Sequence, residues 1–340
     1  MDKFLTFPDL QRKELFEQAE ATIGLAPDLL EKDFWVCWTL KELFSLEELK
    51  EQLTFKGGTS LSKVFNLIKR FSEDIDVCIE KKFLGVIGEF DPSNAASAKK
   101  AKALIEQLGD KCKEYVQGRL LNSLQDNFKK KLKGHDWKLQ IGEEDNDGQT
   151  LLFYYPSVLE KKASTYVNRF IKLEFGARSE HSPSGMHQIT SYLGEVYPQV
   201  LNKPEIEIRV LDAERTFWEK ATILHKYAHY PIEKVVPARQ SRHYYDFYCL
   251  LKSAVKEKAQ SDLNLLKRVT EHNDIYFKAT WANYLTAKKG SLKLIPGQRV
   301  LDDMRRDYRS MESMLFGEIP TWENIIKTIS DFESAFNTIS

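Results

Sequence analysis

The hydrophobic residues of this chain repeat with a helical period in some segments and alternate with polar residues in others. Apolar side chains at helical spacing predict one helix over residues 8–23 and a second that opens at Pro27-Asp28 and continues to Phe44. Alternating polar and apolar side chains predict half-buried strands. The predicted strands are residues 74–79, 137–141, 150–155, 170–175 and 205–210, and the second and third of these are expected to pair.

The remaining segments have mostly helical spacing. Residues 95–133 predict a long amphipathic helix, or a helical pair that breaks near Gly109. Residues 212–225 predict another helix, because Asp212 and Glu214 place negative charge where a helix N-terminus favours it. From residue 250 to residue 335 the pattern is helical, with an extended interruption at residues 292–296.

The stretch from Phe55 to Val77 combines two features that carry chemistry. Gly57-Gly58 and Thr59-Ser60 leave an apolar segment and enter a short helical pattern. Glycine permits positive φ and close approach of the backbone, and amides at a helix start can hold a phosphate. Asp74 and Asp76 then share one strand face, with Cα atoms roughly 7 Å apart. Two such carboxylates repel each other unless a cation lies between them, and divalent ions such as Mg²⁺ take oxygen ligands.

Each half of this stretch also has an ordinary interpretation. Gly-Gly before Thr-Ser is a common turn with a helix N-cap, and Asp-x-Asp on a strand can be a solvated face. The loop is not a Walker A motif, because no Gly-Lys-Ser/Thr closes it. The two features occur together with one predicted helix between them, which favours a phosphate loop that faces a metal-binding strand.

The composition narrows the class of protein without identifying a partner. A chain of 340 residues with 42% hydrophobic and 29% charged residues is typical of a globular protein with one or two domains. Its 50 basic and 50 acidic residues cancel, so net charge gives no argument for nucleic acid. No apolar run of about 18 residues predicts a membrane span. The N-terminal residues do not resemble a signal peptide, and the scattered cysteines predict free thiols in a reducing cytoplasm.

Local charge is more informative than net charge. Residues 95–133 contain ten basic and four acidic residues, a local charge of +6. Such a stripe could follow a phosphate backbone. A solvated helix face is the alternative.

Two motifs of the central stretch carry a family resemblance. Gly-Gly-Thr-x-Leu at Gly57 and Arg-x-Ser-x-Asp-x-Asp at Arg70 are similar to motifs of the AbiEii/AbiGii nucleotidyltransferases, an abortive-infection toxin family within the polymerase-beta-like superfamily. The resemblance implies an α+β fold, with a mixed sheet flanked by helices and a C-terminal helical lobe. It implies that Asp74 and Asp76 bind two Mg²⁺ ions, or Mn²⁺ in their place. The implied nucleotide contacts are Gly57, Gly58, Thr59, Ser60, Lys63, Arg70 and Ser72.

Three later segments resemble further parts of the same family. Lys172-Leu-Glu174 is similar to the strand that carries a third metal-binding carboxylate, although the superfamily more often has aspartate at the position of Glu174. Glu214-Arg-Thr-Phe-Trp-Glu-Lys220 resembles a segment that ends in an active-site lysine. Glu31-Lys32-Asp33 resembles an N-terminal signature, in which Lys32 either reaches a phosphate or lies on a solvated face.

The last matched segment departs from the family. Arg239, Arg242, His243 and Asp246 match it, but His243 stands where many members carry an acid. The role of that acid then passes to His243 or Asp246, or is lost. Their spacing of i, i+3, i+4 and i+7 predicts one side of a helix. The implied roles are catalysis for Asp246 and nucleotide binding for the other three, and a structural Arg–Asp network is the alternative.

The resemblance covers nearly the whole chain. It implies a nucleotidyltransferase core over residues 1–210, which includes the N-terminal helices and the basic helix, and a helical domain over residues 211–340. It implies a cytoplasmic, metal-dependent toxin of a type IV toxin–antitoxin or phage-defence system, whose antitoxin acts without a stable complex. The reaction would transfer a nucleoside monophosphate (NMP) from a nucleoside triphosphate (NTP) to an acceptor such as the tRNA 3′ end. Transfer to a protein hydroxyl and nucleotide binding without turnover are the alternatives.

Overall fold

The computed structural model describes residues 1–72, 74–142, 147–160, 168–202 and 205–338 and has an α+β fold. Its strands are β1 (Leu53–Lys56), β2 (Asp74–Ile79), β3 (Lys138–Ile141), β4 (Thr150–Tyr154), β5 (Phe170–Gly176), β6 (Ser184–Ile189) and β7 (Ile206–Leu211). Its helices are α1 (Asp2–Leu5), α2 (Asp9–Ile23), α3 (Pro27–Phe44), α4 (Gly57–Lys63), α5 (Ala98–Tyr115), α6 (Leu121–Lys131), α7 (Tyr192–Val196), α8 (Pro198–Leu201), α9 (Ala213–Ala228), α10 (Ser241–Leu251), α11 (Val255–Ser261), α12 (Leu263–Tyr276), α13 (Gln298–Met311) and α14 (Trp322–Asn337).

The chain forms two compact units, each made of more than one segment. The first unit comprises Met1–Val64, Glu73–Ile87 and Glu106–Val210. The second unit comprises Phe65–Ser72, Gly88–Ile105 and Leu211–Ser340. Residues 65–72, which connect α4 to β2 in sequence, thus belong to the second unit.

A mixed sheet organises the first unit. Among the described residues its seven strands lie in the order β3-β4-β5-β2-β1-β7-β6. Strand β2 is antiparallel to β1 and parallel to β5, while β4 is antiparallel to both β3 and β5. The predicted pairing of residues 137–141 with 150–155 is therefore confirmed, with Lys138 opposite Tyr154. Strand β6 was not predicted, because its sequence, Ser-Gly-Met-His-Gln-Ile, lacks a clear alternation.

The two faces of this sheet differ in exposure. On one face Phe153 is fully buried, and the indole rings of Trp35 and Trp38 from α3 lie 5.8 Å from its ring. Burial of each such aromatic side chain contributes about 1.5–3 kcal/mol to folding. The opposite face of β4 and β5 carries the half-exposed side chains of Leu152 and Lys172. This second face is the one on which a polar site can form.

Aromatic packing also forms the core of the second unit. Helix α9 packs against α10, α11 and α12, and α10 packs against α13 and α14. The ring of Phe217 on α9 lies 4.9 Å from that of Phe247 on α10 and 5.8 Å from that of Phe332 on α14. The helical pattern predicted for residues 212–225 and 250–335 matches these elements.

Of the two alternatives predicted for residues 95–133, the helical pair that breaks near Gly109 is wrong, and the chain is helical from Ala98 to Lys131. Helix α5 continues through Gly109, and the irregular turn is a π-helical segment at Val116–Leu120. A glycine inside a helix costs about 1 kcal/mol relative to alanine. Its neighbours Leu108 and Cys112 are fully buried, so packing outweighs this cost. No helix in the described parts of the chain is long and apolar enough to span a bilayer.

Candidate active site

Strand register brings two of the predicted carboxylates together. In the parallel pairing of β2 with β5, Asp74 lies opposite Lys172 and Asp76 lies opposite Glu174. The carboxyl groups of Asp76 and Glu174 share a hydrogen bond. Lys172 adds an ion pair to Glu174 on the same sheet face. The acid pair Asp76–Glu174 therefore combines a residue of the Asp-x-Asp strand with one from a strand almost a hundred residues later.

The environment of the acid pair favours a bound proton or cation. Burial, followed by the negative charge of Glu174, raises the pKa of Asp76 from its usual 3.8 to about 7. The charge of Lys56 acts in the opposite direction. In the antiparallel register of β1 with β2, Lys56 lies opposite Asp76, and its ammonium donates to Ser179 Oγ at 2.7 Å.

Lys56 and Lys172 are site residues that the sequence prediction missed. Lys56 directly precedes Gly57, and Lys172 lies two positions before Glu174 on the same strand face. A search for cations paired with each predicted carboxylate would have indicated both of them. They offset part of the negative charge that accumulates on this face of the sheet.

The acid pair suits a hard divalent cation. Carboxylate oxygens are the ligands that Mg²⁺ prefers, and a metal ion competes with the proton that a raised pKa retains. Within the described residues, no group of three His, Cys, Asp or Glu side chains is already arranged to hold a metal. This agrees with the usual mode of Mg²⁺ binding, in which one or two carboxylates act together with water and substrate phosphates.

Gly57 allows the acid pair to sit against the start of α4. Its φ is +83°, and a Cβ at this position would lie only 2.0 Å from Asp76 Oδ2. Beyond Gly58, the Thr59 hydroxyl donates to the main-chain oxygen of Asp74 at 2.5 Å, and the Ser60 hydroxyl donates to that of Gly57 at 2.8 Å. These buried hydroxyls thus fix the loop, so a phosphate would be held by main-chain N–H groups.

Substitution of Gly57 by alanine is expected to separate activity from stability. The positive φ should cost about 1–2 kcal/mol of folding stability, because a left-handed backbone is strained for alanine. The new Cβ should also displace the Asp76 carboxylate, and a misplaced catalytic group can reduce turnover about 100-fold. Urea unfolding and steady-state kinetics measure the two effects.

Gly24→Ala is the matched control for this substitution. Gly24 has a φ of +74°, and a Cβ there would meet nothing within 4 Å. It should lose similar stability and retain full activity. Equal activity of the two variants would show that the contact between Gly57 and Asp76 is unimportant for the reaction.

Lys63, which was predicted to contact a phosphate, pairs with a side chain of the protein in the structure. Its ammonium is buried, pairs with Asp33 at 2.7 Å and lies 3.6 Å from the ring centre of Tyr192. Lys32 is also buried and donates to the main-chain oxygen of Asn168 at 2.7 Å. The interpretation of Glu31-Lys32-Asp33 as a solvated face is therefore wrong. The fold can bury these charges because each is paired or hydrogen bonded inside the first unit.

A buried charge cluster joins other predicted residues within the second unit. The Asp246 carboxylate is fully buried and accepts from Arg70 Nε at 2.7 Å and from Arg70 Nη2 at 3.0 Å. Lys220 Nζ also donates to Asp246 Oδ2, at 2.7 Å, and lies 3.1 Å from His243 Nδ1. We call these four residues, Arg70, Lys220, His243 and Asp246, the buried cluster, in which His243 is half-buried and the other three are buried.

Charges within the buried cluster determine its protonation. Burial alone would raise the pKa of Asp246, but the charges and hydrogen bonds of Arg70 and Lys220 outweigh it and lower that pKa. Burial and the neighbouring cations Lys220 and Arg242 hold the pKa of His243 well below its usual value. The imidazole is thus neutral, and its Nδ1 can accept a hydrogen bond from Lys220. Burial also lowers the pKa of Lys220 itself, although Asp246 opposes this effect.

The prediction that Arg239 shares a helix face with Arg242, His243 and Asp246 is wrong. Helix α10 begins at Ser241, and Arg239 precedes it with a φ of +63°. The Asp307 carboxylate accepts from the backbone N–H groups of Arg239 at 2.6 Å and Ser241 at 2.8 Å. This carboxylate, which belongs to α13, caps the N-terminus of α10, and the helix begins two residues later than the sequence pattern indicates.

The remaining predicted residues occupy less constrained positions. Arg239 is exposed, and Arg242 and Ser72 are half-buried. Arg70 is the residue whose partner the sequence did not reveal, because Asp246 is 176 positions away. The predicted Arg–Asp network thus exists in the structure, but its arginine is Arg70 rather than Arg239 or Arg242.

The family of this chain follows from comparison with known proteins. The model of the AbiEii family, described as a nucleotidyl transferase AbiEii toxin of a type IV toxin–antitoxin system, matches residues 38–338. The chain belongs to this family and is a nucleotidyltransferase toxin. Membership implies a nucleotide substrate and an antitoxin.

Two solved structures are similar to the chain. MenT4, a nucleotidyltransferase toxin from Mycobacterium tuberculosis H37Rv, is 13% identical with a TM-score of 0.42, and the match covers 95% of this chain and 99% of MenT4. JHP933 from Helicobacter pylori is 13% identical with a TM-score of 0.30, and the match covers 88% of this chain and 97% of JHP933. Both TM-scores are below 0.5, so the family assignment rests on the family model. A comparison with curated proteins finds no match.

Proposed function

We propose that this toxin transfers an NMP from an NTP to the 3′ end of an RNA, with tRNA as the acceptor, in a reaction that requires Mg²⁺ or Mn²⁺. The observation that carries the proposal is the acid pair, in which burial and Glu174 raise the pKa of Asp76 to about 7. A pair of this kind is stable as a dianion only when a cation lies beside it. A tRNA acceptor also implies action in the cytoplasm.

Different residues of the first unit would bind the metal and the triphosphate in the proposed site. Asp76 and Glu174 would hold the metal, and Asp74 on the same strand face would join them once an ion is bound; the metal would stabilise the negative charge on the attacking and leaving oxygens. Main-chain N–H groups at Gly57–Ser60 would hold the triphosphate. Lys172 keeps the Glu174 carboxylate oriented through their ion pair. The acceptor hydroxyl then attacks the α-phosphorus, and pyrophosphate leaves.

We assign the buried cluster of the second unit a positioning role. Asp246 holds Arg70 and Lys220 in fixed places through hydrogen bonds of 2.7 Å to each. Cations that are already held in place lose little conformational entropy when they bind a phosphate. The side chains of Arg242 and Arg239 would add positive charge that can change position to suit the phosphate. The neutral His243 is compatible with this role, because it accepts from Lys220 and adds no charge.

Labelling with radioactive nucleotides tests the reaction and its acceptor together. The full chain is incubated with each α-³²P-labelled NTP, MgCl₂ and total tRNA, and label is expected in RNA that RNase removes. EDTA should abolish the label, and MnCl₂ should restore it. Label removed by protease instead of RNase would show that a protein hydroxyl is the acceptor.

The proposal fails if no NTP labels either RNA or protein. Asp76→Asn must lose the label, whereas Glu207→Gln, which changes an exposed carboxylate on β7 of the same sheet, must keep it. We further propose that the antitoxin acts without a stable complex. Coelution of toxin and antitoxin in size-exclusion chromatography would contradict that part alone.

A further inference from the structure

A pocket of about 670 Å³ lies in the first unit at the free end of the β3–β4 pair. Lys138 and Tyr154, which lie opposite each other in this pair, both line it. Arg12 from α2 and Arg169, just before β5, contribute two guanidinium groups. Trp137 contributes a further aromatic ring, so the pocket combines cations with aromatic surfaces.

Arg12 has unused hydrogen-bonding capacity in this pocket. Its side chain is only 2% exposed, and its Nη2 donates to Asp9 Oδ1 at 2.6 Å. Among the described residues, its buried Nε has no hydrogen-bond partner. A buried donor without an acceptor is costly, so Arg12 would gain a hydrogen bond if its side chain turned Nε towards an anion in the pocket. This side chain is therefore prepared for a ligand with acceptor oxygens.

The nearby acid does not replace such a ligand. Burial raises the pKa of Glu31, while the charges of Arg169 and Arg12 oppose that effect, which shows that both guanidinium groups lie near it. The Glu31 oxygens accept from Ser157 Oγ at 2.6 Å and from the Val158 N–H at 2.7 Å. These bonds hold the Glu31 carboxylate in place but leave its charge. Glu31, Asp9 and Asp136 offset part of the positive charge of Arg12, Lys138 and Arg169, so an anion binds in competition with Asp9 at Arg12.

Aromatic rings define what else the ligand must contain. Tyr154 is 36% exposed, and its ring lies 5.4 Å from that of Phe170. The Tyr155 ring is held in place by stacking on Trp35, with 5.6 Å between ring centres. Aromatic faces beside guanidinium groups are the chemistry that recognises an unpaired nucleotide, whose base stacks and whose phosphate pairs. An acidic peptide would use the cations but not the rings.

The surroundings of the pocket suit a longer polyanion. Exposed lysines occupy the end of α6 and the turn after it, at Lys129, Lys130, Lys131 and Lys133, and the chain then enters the pocket wall at Gly134. Tyr154 and Phe170 also share their sheet face with Glu174. Along β5, Glu174 lies four residues from Phe170, a distance of about 13 Å. A bound strand can thus extend from the pocket towards the acid pair within the first unit.

We propose that this pocket binds one nucleotide of a single-stranded RNA, the acceptor strand of the reaction, and thereby selects the RNA substrate. The inference rests on the proposed function for the identity of the RNA as acceptor. The base lies against Trp137 and Tyr154, and the phosphate lies between Arg12 and Arg169.

Binding of RNA without NTP tests the pocket independently of catalysis. A fluorescein-labelled single-stranded RNA hexanucleotide is titrated with the full-length protein, and anisotropy gives the Kd. We expect Arg169→Gln and Tyr154→Ala each to raise the Kd at least about tenfold, given the strength of base stacking and charged hydrogen bonds. Arg309→Gln and Phe277→Ala, which alter exposed side chains in the second unit, should leave it within about twofold. Circular dichroism confirms that each variant is folded.

Two further measurements identify the pocket and the ligand. RNA should quench tryptophan fluorescence of the protein, and Trp137→Phe should remove most of that quenching while it largely preserves the Kd. Equal affinity of wild type and both pocket variants would overturn the proposal. Competition by hexaglutamate as effective as that by unlabelled RNA would also overturn it, because the rings would then have no role.

Kinetics separate this inference from the proposed function. Arg169→Gln should raise the KM for RNA and leave kcat unchanged, as expected for loss of uniform binding. Normal RNA labelling with an unchanged KM would overturn the pocket but leave the transferase proposal intact. RNA binding that depends on Arg169 and Tyr154, without any labelling, would support the pocket and overturn the transferase proposal.

Discussion

Asp76→Asn is expected to abolish nucleotidyl transfer and, in the absence of metal, to stabilise the protein. The acid pair brings Asp76 against Glu174 in a buried position, where the Asp76 pKa is about 7 rather than 3.8. Its folded-state pKa is thus above its unfolded value, so the folded state retains a proton that the unfolded state releases. The free energy of unfolding must then fall as pH rises from about 4 to about 7.

The asparagine variant should lack this pH dependence. One pKa unit corresponds to about 1.4 kcal/mol, so a gain of about 2–4 kcal/mol at pH 8 in EDTA is the expected upper range. Urea unfolding between pH 4 and pH 8 measures it. At pH 4 most of this difference should have disappeared, because the folded-state carboxyl is protonated and the unfolded-state carboxyl is near its usual pKa of 3.8.

Bound metal should reverse the order of stability of the wild type and Asp76→Asn. A ligand that binds only the folded state stabilises it by mass action, so MgCl₂ should raise the melting temperature of the wild type and have little effect on Asp76→Asn. Loss of activity should exceed about 1,000-fold, since removal of one charge-stabilising group commonly costs at least 100-fold and here the metal is lost too. Glu207→Gln serves again as the control and should change neither property. An Asp76→Asn variant with wild-type kcat, or one less stable at pH 8 in EDTA, would refute the assignment.

Asp246→Asn is expected to destabilise the protein by about 3–5 kcal/mol, the largest effect of a single substitution that we anticipate. The Asp246 carboxylate is the common partner of Arg70 and Lys220, and all three side chains are buried. Removal of one partner from a buried ion pair leaves an uncompensated charge, which is far more costly than loss of an exposed pair. Here two cations would be left together.

A double substitution shows whether charge, rather than packing, is responsible. Lys220→Met in the Asp246→Asn background removes one of the two uncompensated cations and should recover part of the lost stability. Asp331→Asn is the matched control, because Asp331 pairs with Lys327 at 2.8 Å on the exposed face of α14 and should contribute less than about 1 kcal/mol. Urea unfolding of the four proteins tests the set. A loss below about 1 kcal/mol in Asp246→Asn would show that the buried cluster does not depend on this carboxylate.

Local chemistry in the sequence predicts the elements of this fold well. Strand β2 follows from the alternation of Asp74, Asp76 and their apolar neighbours, and α4 follows from the glycine pair and the apolar residues after it. Such patterns reflect which face of an element is buried, a property that each segment expresses by itself. Boundaries are less well determined, as the start of α10 shows, because a carboxylate from α13 caps it.

Long-range partners are the part that one sequence does not reveal. The strand register that places Lys56 opposite Asp76 depends on packing of the whole sheet rather than on either strand. The bond between Arg70 and Asp246 joins residues 176 positions apart. The resemblance to a family indicated Arg70, Lys220 and Asp246 separately, but their burial as a single cluster is a property of the folded second unit.

The assignment of residues 65–72 to the second unit limits how the chain can be divided. This segment carries Arg70, and its backbone pairs with the second unit where Phe71 donates to Met314 at 2.8 Å and Phe316 donates to Lys69 at 3.0 Å. A fragment that began at residue 211 would lack both this edge pairing and the guanidinium that accompanies Lys220 on Asp246. The boundaries of the compact units are therefore not the boundaries of independent modules, and truncation at one peptide bond cannot yield either unit complete.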